Sequence, residues 1–242
     1  MNDRNLETLT CLREFMLPVL SRRIPTLSHP MRIWEVSGRH DLFVLLKKEF
    51  PEAEVRQCQD GKIGDNETFD YIVASGLKYL PDDGHTDQRF RELIGRLSPG
   101  GVISVRLCGF CGYYGPVMAG AVIRTFSKGK PAAETAEIAE AVMAELPSSH
   151  PAFEYKPGAL EELLELFASI DHVEKLFTVS KLLAAVSRWG GEFIQWVSPR
   201  LYSPLPVIEP LNTLPEPRRS ITAELVNASP PEHYFLVGKR SG

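Results

Sequence analysis

The sequence predicts an α/β fold: a mostly parallel sheet with helices on its faces, an antiparallel last strand and a late helical insertion. Three observations predict it. Strand-like and helix-like runs alternate from Met31 to Gly109, the pattern of a parallel sheet connected through helices. After Gly112 the pattern turns helical. Two further strand-like runs, "GEFIQWVSP" and "HYFLVGKR", come late in the chain and suggest one sheet completed by an antiparallel edge.

Each element has its own signal. From Arg4 to Leu20 apolar residues recur at helical spacing (Leu6, Leu9, Leu12, Phe15, Met16, Val19, Leu20), which predicts a leading helix. Pro25 and Pro30 bracket the link to the first strand, "MRIWEV". "DLFVLLKKEF" reads as a helix, "AEVRQC" as a strand and "FDYIVAS" as a strand with an apolar core. "TDQRFRELIGRL" is a helix, "SPGG" a turn and "GVISVRLCG" a strand. The later helices are "GPVMAGAVIRTF", "AAETAEIAEAVMAEL", "GALEELLELFASI" and "TVSKLLAAVSRW". Pro199 to Pro217 reads as an extended surface connection, followed by a helix around "RRSITAELVNAS". The chain is expected to form one domain: a leading helix in 1–30, a half with strand-helix alternation in 31–112, a helical insertion in 113–190, and the last two strands with their connecting helix in 191–242.

Composition narrows the function. The chain has 242 residues, 43% of them hydrophobic and 24% charged, with a formal net charge of −4. No long basic block occurs, so a general electrostatic surface for nucleic acid is not expected. No apolar run is long enough to span a bilayer, and the start "MNDRNLETLTCLREFMLPVL" lacks the basic and apolar regions of a signal peptide. A cytosolic protein is expected. Four cysteines fit a reducing compartment. Cys108 and Cys111 form "CGFC", which is a redox pair or half a zinc site when its context is right. Zinc usually takes four ligands, and Cys11 and Cys58 lack a matching spacing. A redox pair normally opens a helix, whereas a glycine-rich turn is expected here, so the motif is read as incidental. No metal site is expected.

Ligands of such sheets sit at the carboxyl ends of the strands. That edge comprises Glu35 to Asp41, Gln59 to Lys62, Ser75 to Tyr79 and Cys108 to Tyr114. Arg39 and His40 either hold an anion at the following helix N-terminus or form a solvated turn. His85, in the acidic turn "PDDGHTD", is either a general base, since histidine titrates near neutrality, or an exposed loop residue. Tyr79, Tyr113 and Tyr114 line a substrate pocket or are ordinary packing.

In this order the pieces "RIWEVSG", "AEVRQC" with Gln59 and Asp60, "FDYIVASGLKYLPD" and "FRELIGRLSPGGVISVRL" resemble the class I S-adenosylmethionine-dependent methyltransferases. They look like that family's first strand and glycine loop, its second strand, its fourth strand, and the helix, turn and fifth strand. "GEFIQWVSP" and "HYFLVGK" look like its sixth strand and antiparallel seventh. "YYGPVMAG", "LPSSHP" and "FTVSKLLAAVSRWGGEFIQWVSP" resemble the helical lid of a bacterial subgroup, some of whose members are fused to tetratricopeptide repeats. The resemblance implies a Rossmann-like methyltransferase sheet, S-adenosylmethionine as cofactor, and a small-molecule or peptide substrate under a lid.

Site roles follow from the resemblance. Glu35, Ser37, Gly38 and His40 belong to the cofactor loop, with Glu35 organising the methionine amino end. Gln59 or Asp60 faces the ribose hydroxyls, where a carboxylate accepts two hydrogen bonds; Asp60 with Gly61 also reads as a plain turn. Ser75, Gly76 and Leu77 follow the fourth strand, beside the sulfonium. Tyr79, His85, Tyr113 and Tyr114 lie toward the substrate. No catalytic residue is assigned, because methyl transfer asks mainly for in-line positioning. The sequence departs from the family twice. The first loop keeps one glycine, Gly38, and the helix and strand that normally follow the second strand are missing. An enzyme and a non-catalytic partner subunit of the same fold are therefore both carried forward, beside a weaker redox or metal reading of the cysteine pair.

Overall fold

The computed structural model describes residues 12–24, 29–36, 38, 40–57, 67–74, 84–147, 176–197, 214–216, 218–225 and 232–240. The first part of the expected leading helix, the helix expected over 158–170 and most of the proline-rich connection lie outside these residues.

Among the described residues six strands form one sheet in the order β2-β1-β3-β4-β6-β5. They are β1 (Arg32–Glu35), β2 (Glu54–Gln57), β3 (Phe69–Ala74), β4 (Leu97–Cys108), β5 (Gly191–Trp196) and β6 (Glu232–Lys239). β1 to β4 are mutually parallel, and β6 runs antiparallel to both β4 and β5. The last two strands complete the sheet as expected, and the antiparallel β6 lies between β4 and the edge strand β5. The reason is in its side chains: Tyr234, Phe235, Leu236 and Val237 are all buried, alternating between the two faces, and such a run needs cover on both. β3 shows the same logic, with all six of its residues buried.

The "SPGG" segment does not end the pairing. β4 already pairs with β3 at Leu97, and pairing resumes at Val102 after a register shift. The four residues between form a bulge, which keeps the turn chemistry inside a continuous strand. Gly100 has φ +82°, and a Cβ there would lie 2.8 Å from the carbonyl oxygen of Arg23. Only glycine suits that backbone.

Helices cover both faces. On one face α1 (Leu17–Arg23) and α2 (His40–Glu49) place Val19, Leu20, Leu42 and Leu46 against Ile33, Val55, Tyr71 and Val73. A π-helical turn, Leu12–Met16, leads into α1 just before Pro18, whose missing N–H interrupts the usual ladder. On the other face α3 (Gly84–Gly95) and α6 (Val179–Arg188) pack Phe90, Leu93, Ile94, Leu182 and Val186 over Ile72, Ile103, Phe235 and Val237. Thr178 caps α6 by accepting from the Lys181 N–H at 3.2 Å. Trp189 stacks on Phe90, ring centroids 4.3 Å apart, and donates from its indole to Asp87 at 2.6 Å.

Between β4 and β5 lies the helical segment. α4 (Phe110–Ser127) and α5 (Ala132–Glu145) form a hairpin around Tyr113, Val117, Ile123 and Ala139, and Cys108 and Leu176 belong to the same cluster. α7 (Arg218–Leu225) is tied to β5 through Trp196, whose indole donates to Ser220 Oγ at 2.7 Å. No helix among the described residues is long and apolar enough to cross a membrane.

Candidate functional site

The chain leaves β1 for β2 on one side and then crosses back to β3 on the other. A crevice opens at the carboxyl ends of the strands where the order reverses. Here that point is the edge between β1 and β3.

Glu35 ends β1 at this edge and is fully buried. It stands in parallel register with Gln57 of β2 on one side and Val73 of β3 on the other. Strand alternation puts Glu35 on the same face as Ile33, and Gln57 on the same face as Val55. Two polar side chains thus cap an otherwise apolar layer. The ladder runs one residue further, where the Val36 N–H donates to the Val73 carbonyl at 3.2 Å. Gly38 then adopts φ 71°, a left-handed conformation that turns the chain sharply into α2.

Gln57 is a buried polar residue at this edge that the sequence analysis does not single out. The expected polar end of β2 was Gln59 or Asp60. The period of two in "EVRQ" was the available signal, since it carries Gln57 to the buried face beside Val55.

The other expected residues that the structure describes lie near the starts of three helices. His40 opens α2 and is exposed, its ring 6.3 Å from Phe43. His85 is exposed in the first turn of α3; the helix begins at Gly84, earlier than expected, so this residue is helical and not part of a loop. Tyr113 and Tyr114 lie in α4 and not in a glycine-rich turn, because the helix already opens at Phe110. Tyr113 is fully buried in the hairpin core, while Tyr114 is exposed with its ring 5.5 Å from Phe110. The same early start puts Cys111 in the first turn of α4, with Gly109 as its N-cap, and leaves Cys108 buried at the end of β4. The glycine-rich turn expected around the pair is therefore a strand end and a helix start. Ser37, Arg39, Gln59, Asp60, Ser75, Gly76, Leu77 and Tyr79 lie outside the described residues, as do Cys11 and Cys58.

At the end of β4 the returning chain is fastened to the edge. Phe177 pairs with Gly109, receives the Phe110 N–H at 2.9 Å, and accepts from His233 at 2.8 Å. A carbonyl only accepts, so His233 Nε2 carries the proton. Burial lowers the His233 pKa to about 4 against the opposing effect of this hydrogen bond, so the imidazole is neutral at pH 7. Among the described residues no group of three or more His, Cys, Asp or Glu is placed to hold a metal ion.

No protein-family profile matches the sequence, and no curated protein is similar to it. Solved structures do share its fold. PKMT2 from Rickettsia typhi overlaps 92% of this chain with a TM-score of 0.60 at 11% identity, over 52% of its own length. PKMT2 in complex with AdoHcy overlaps 96% with a TM-score of 0.56, also at 11% identity, over 54% of its length. The chain thus spans about half the length of PKMT2. The plantazolicin methyltransferase BpumL in complex with SAH is a looser likeness, at 12% identity and a TM-score of 0.48 over 98% of this chain and 85% of its own. The strand order with its internal antiparallel β6, the buried acid ending β1 and the likeness to PKMT2 together give this chain the fold of the class I S-adenosylmethionine-dependent methyltransferases.

Proposed function

We propose that the chain binds S-adenosylmethionine at the β1–β3 edge and transfers its methyl group to a small molecule or peptide. The observation that carries this reading is the pair Glu35 and Gln57, buried in register beside the left-handed turn at Gly38. The donor set suits the amino-acid end of the cofactor. A carboxyl accepts from an ammonium group or from turn N–H groups, and a glycine lets backbone N–H groups approach a carboxylate closely.

The bound cofactor supplies an activated methyl on a sulfonium, so little acid–base work falls to the protein. Glu35 and the Gly38 turn hold the amino-acid end, and Ser37 and His40 border it. Gln57, with Gln59 or Asp60 after it, meets the sugar. Ser75, Gly76 and Leu77 flank the sulfonium. Tyr79, His85 and Tyr114 face the acceptor, with His85 as its general base. The helices between β4 and β5 act as the lid that excludes water.

A second reading has one observation in its favour. Among the described residues β2 is the edge strand, with nothing paired beyond it where the family has a further strand and an adenine wall. On that reading the chain is a non-catalytic partner subunit of the same fold.

Photo-crosslinking of S-adenosylmethionine to the full chain, followed by peptide mapping, tests the first reading. Label on peptides covering 32–60, competed by S-adenosylhomocysteine, is the expected result. Label that is absent, or not competed, overturns it.

A further inference from the structure

We propose that the α4–α5 hairpin is a gate that swings as one body about Gly109 and Phe177, with His233 as the positioning residue of the hinge. The hairpin carries its own core. Tyr113, Val117, Ile123 and Ala139 are buried together, with Phe110, Ile138 and Val142 packed around them. Among the described residues this core takes Cys108 alone from the sheet and Leu176 alone from the returning chain. The helices that cover the sheet differ: α1 and α2 on one face, and α3 and α6 on the other, share their cores with several strands. A body with its own core and one narrow attachment is free to move as a unit.

The attachment is a single crossing of two chain segments. The chain leaves β4 through Cys108 and Gly109 and returns at Phe177, and Gly109 and Phe177 form an isolated parallel bridge. The Phe177 N–H donates to the Cys108 carbonyl at 3.4 Å. The Phe177 carbonyl accepts from the Phe110 N–H at 2.9 Å and from His233 Nε2 at 2.8 Å. One oxygen thus joins the two bodies, with one lone pair toward the first residue of α4 and the other toward β6. His233 belongs to the fixed body. It is fully buried, pairs with Leu107 and has its ring 5.9 Å from Trp196. It holds the pivot in place while the helix beyond it turns.

A small rotation has a long reach. α4 has 18 residues and is about 27 Å long, so a turn of about 10° at the pivot moves the Lys128–Lys130 end by about 5 Å. Gly109 follows the carboxyl end of β4, the edge at which ligands of such sheets sit. The use of the swing as a gate rests on the cofactor reading of this edge, whereas the swing itself does not.

Pulsed electron double resonance on the full chain tests this, with non-canonical spin-labelled residues so that the cysteines stay untouched. Labels at exposed Lys130 and at exposed Glu92 of α3 report hairpin against sheet, and labels at Val122 and Glu140 report within the hairpin. The expected result is a narrow internal distance and a Lys130–Glu92 distribution broader by about 5 Å, which bound S-adenosylhomocysteine narrows. His233→Leu is expected to broaden it further, and His233→Gln, whose amide donates to the same carbonyl, to keep the wild-type width. A ligand-free Lys130–Glu92 distance as narrow as the internal one overturns the proposal. So does an internal distance that broadens alongside it, since the hairpin then loosens and does not swing. Equal broadening in the two His233 variants, or a distribution that bound S-adenosylhomocysteine leaves unchanged, overturns it as well. If calorimetry shows no S-adenosylhomocysteine binding, the cofactor reading fails, and the ligand-free distances still decide the swing.

Discussion

His233 donates from Nε2 to the carbonyl of Phe177 at 2.8 Å, tying the antiparallel strand β6 to the point where the chain returns from its helical segment. The imidazole is fully buried and stays neutral, because burial holds its pKa near 4 against an ordinary 6.5. In the unfolded chain the same group takes a proton below about pH 6.5. The contribution is therefore complete above that pH and is lost as pH falls toward 4, about 3 kcal/mol in all. Urea denaturation at pH 7 and pH 5 should show this loss. His233→Gln should flatten the slope over that window while lowering stability at pH 7.

Asp87 gathers three partners at the start of α3. It accepts from Trp189 at 2.6 Å and from Arg188 at 3.0 Å, and Arg91 lies 3.7 Å away. Burial pushes its carboxyl up, but the hydrogen bonds from Arg188 and Trp189 and the charges of Arg188 and Arg91 outweigh it, so the net shift is downward. A lowered carboxylate stabilises the fold above its unfolded pKa, and that stability disappears as pH falls through the native value, below about pH 4. Asp87→Asn should cost about 1–2 kcal/mol at pH 7 and remove this acid-side dependence. Denaturant midpoints at pH 7 and pH 3 check both parts.

Two glycines separate steric from conformational cost. Gly100 and Gly129 have φ +82° and +78°, but a Cβ on Gly100 meets the Arg23 carbonyl oxygen at 2.8 Å and one on Gly129 meets nothing within 4 Å. Gly129→Ala should cost about 1 kcal/mol, the left-handed penalty alone. Gly100→Ala should cost about 2–3 kcal/mol, because the end of α1 must also move. Thermal midpoints of the two variants measure the difference.

The sheet was legible because its strands carry strong local patterns. "FDYIVA" and "HYFLVGK" are continuous apolar runs that declare strands, and "DLFVLLKKEF" keeps a clean helical period. What escaped was non-local. Nothing near "SPGG" says that β3 continues to pair on both sides of it. The glycines of "CGFCGYYG" favour a turn locally, yet the packing of Tyr113 and Val117 against α5 carries the helix back to Phe110. At the site, Glu35 was readable from its place at the end of an apolar run. The burial of Gln57 beside it was not, because that needs the parallel register with Glu35.

Calorimetric titration of the full chain with S-adenosylmethionine and S-adenosylhomocysteine tests the central claim most directly. The account predicts micromolar binding of both, abolished by Gly38→Arg and weakened about tenfold by Glu35→Gln with the fold intact. No heat and no competition from a folded wild-type chain would contradict it, and would leave the Glu35–Gln57 edge as part of a partner subunit.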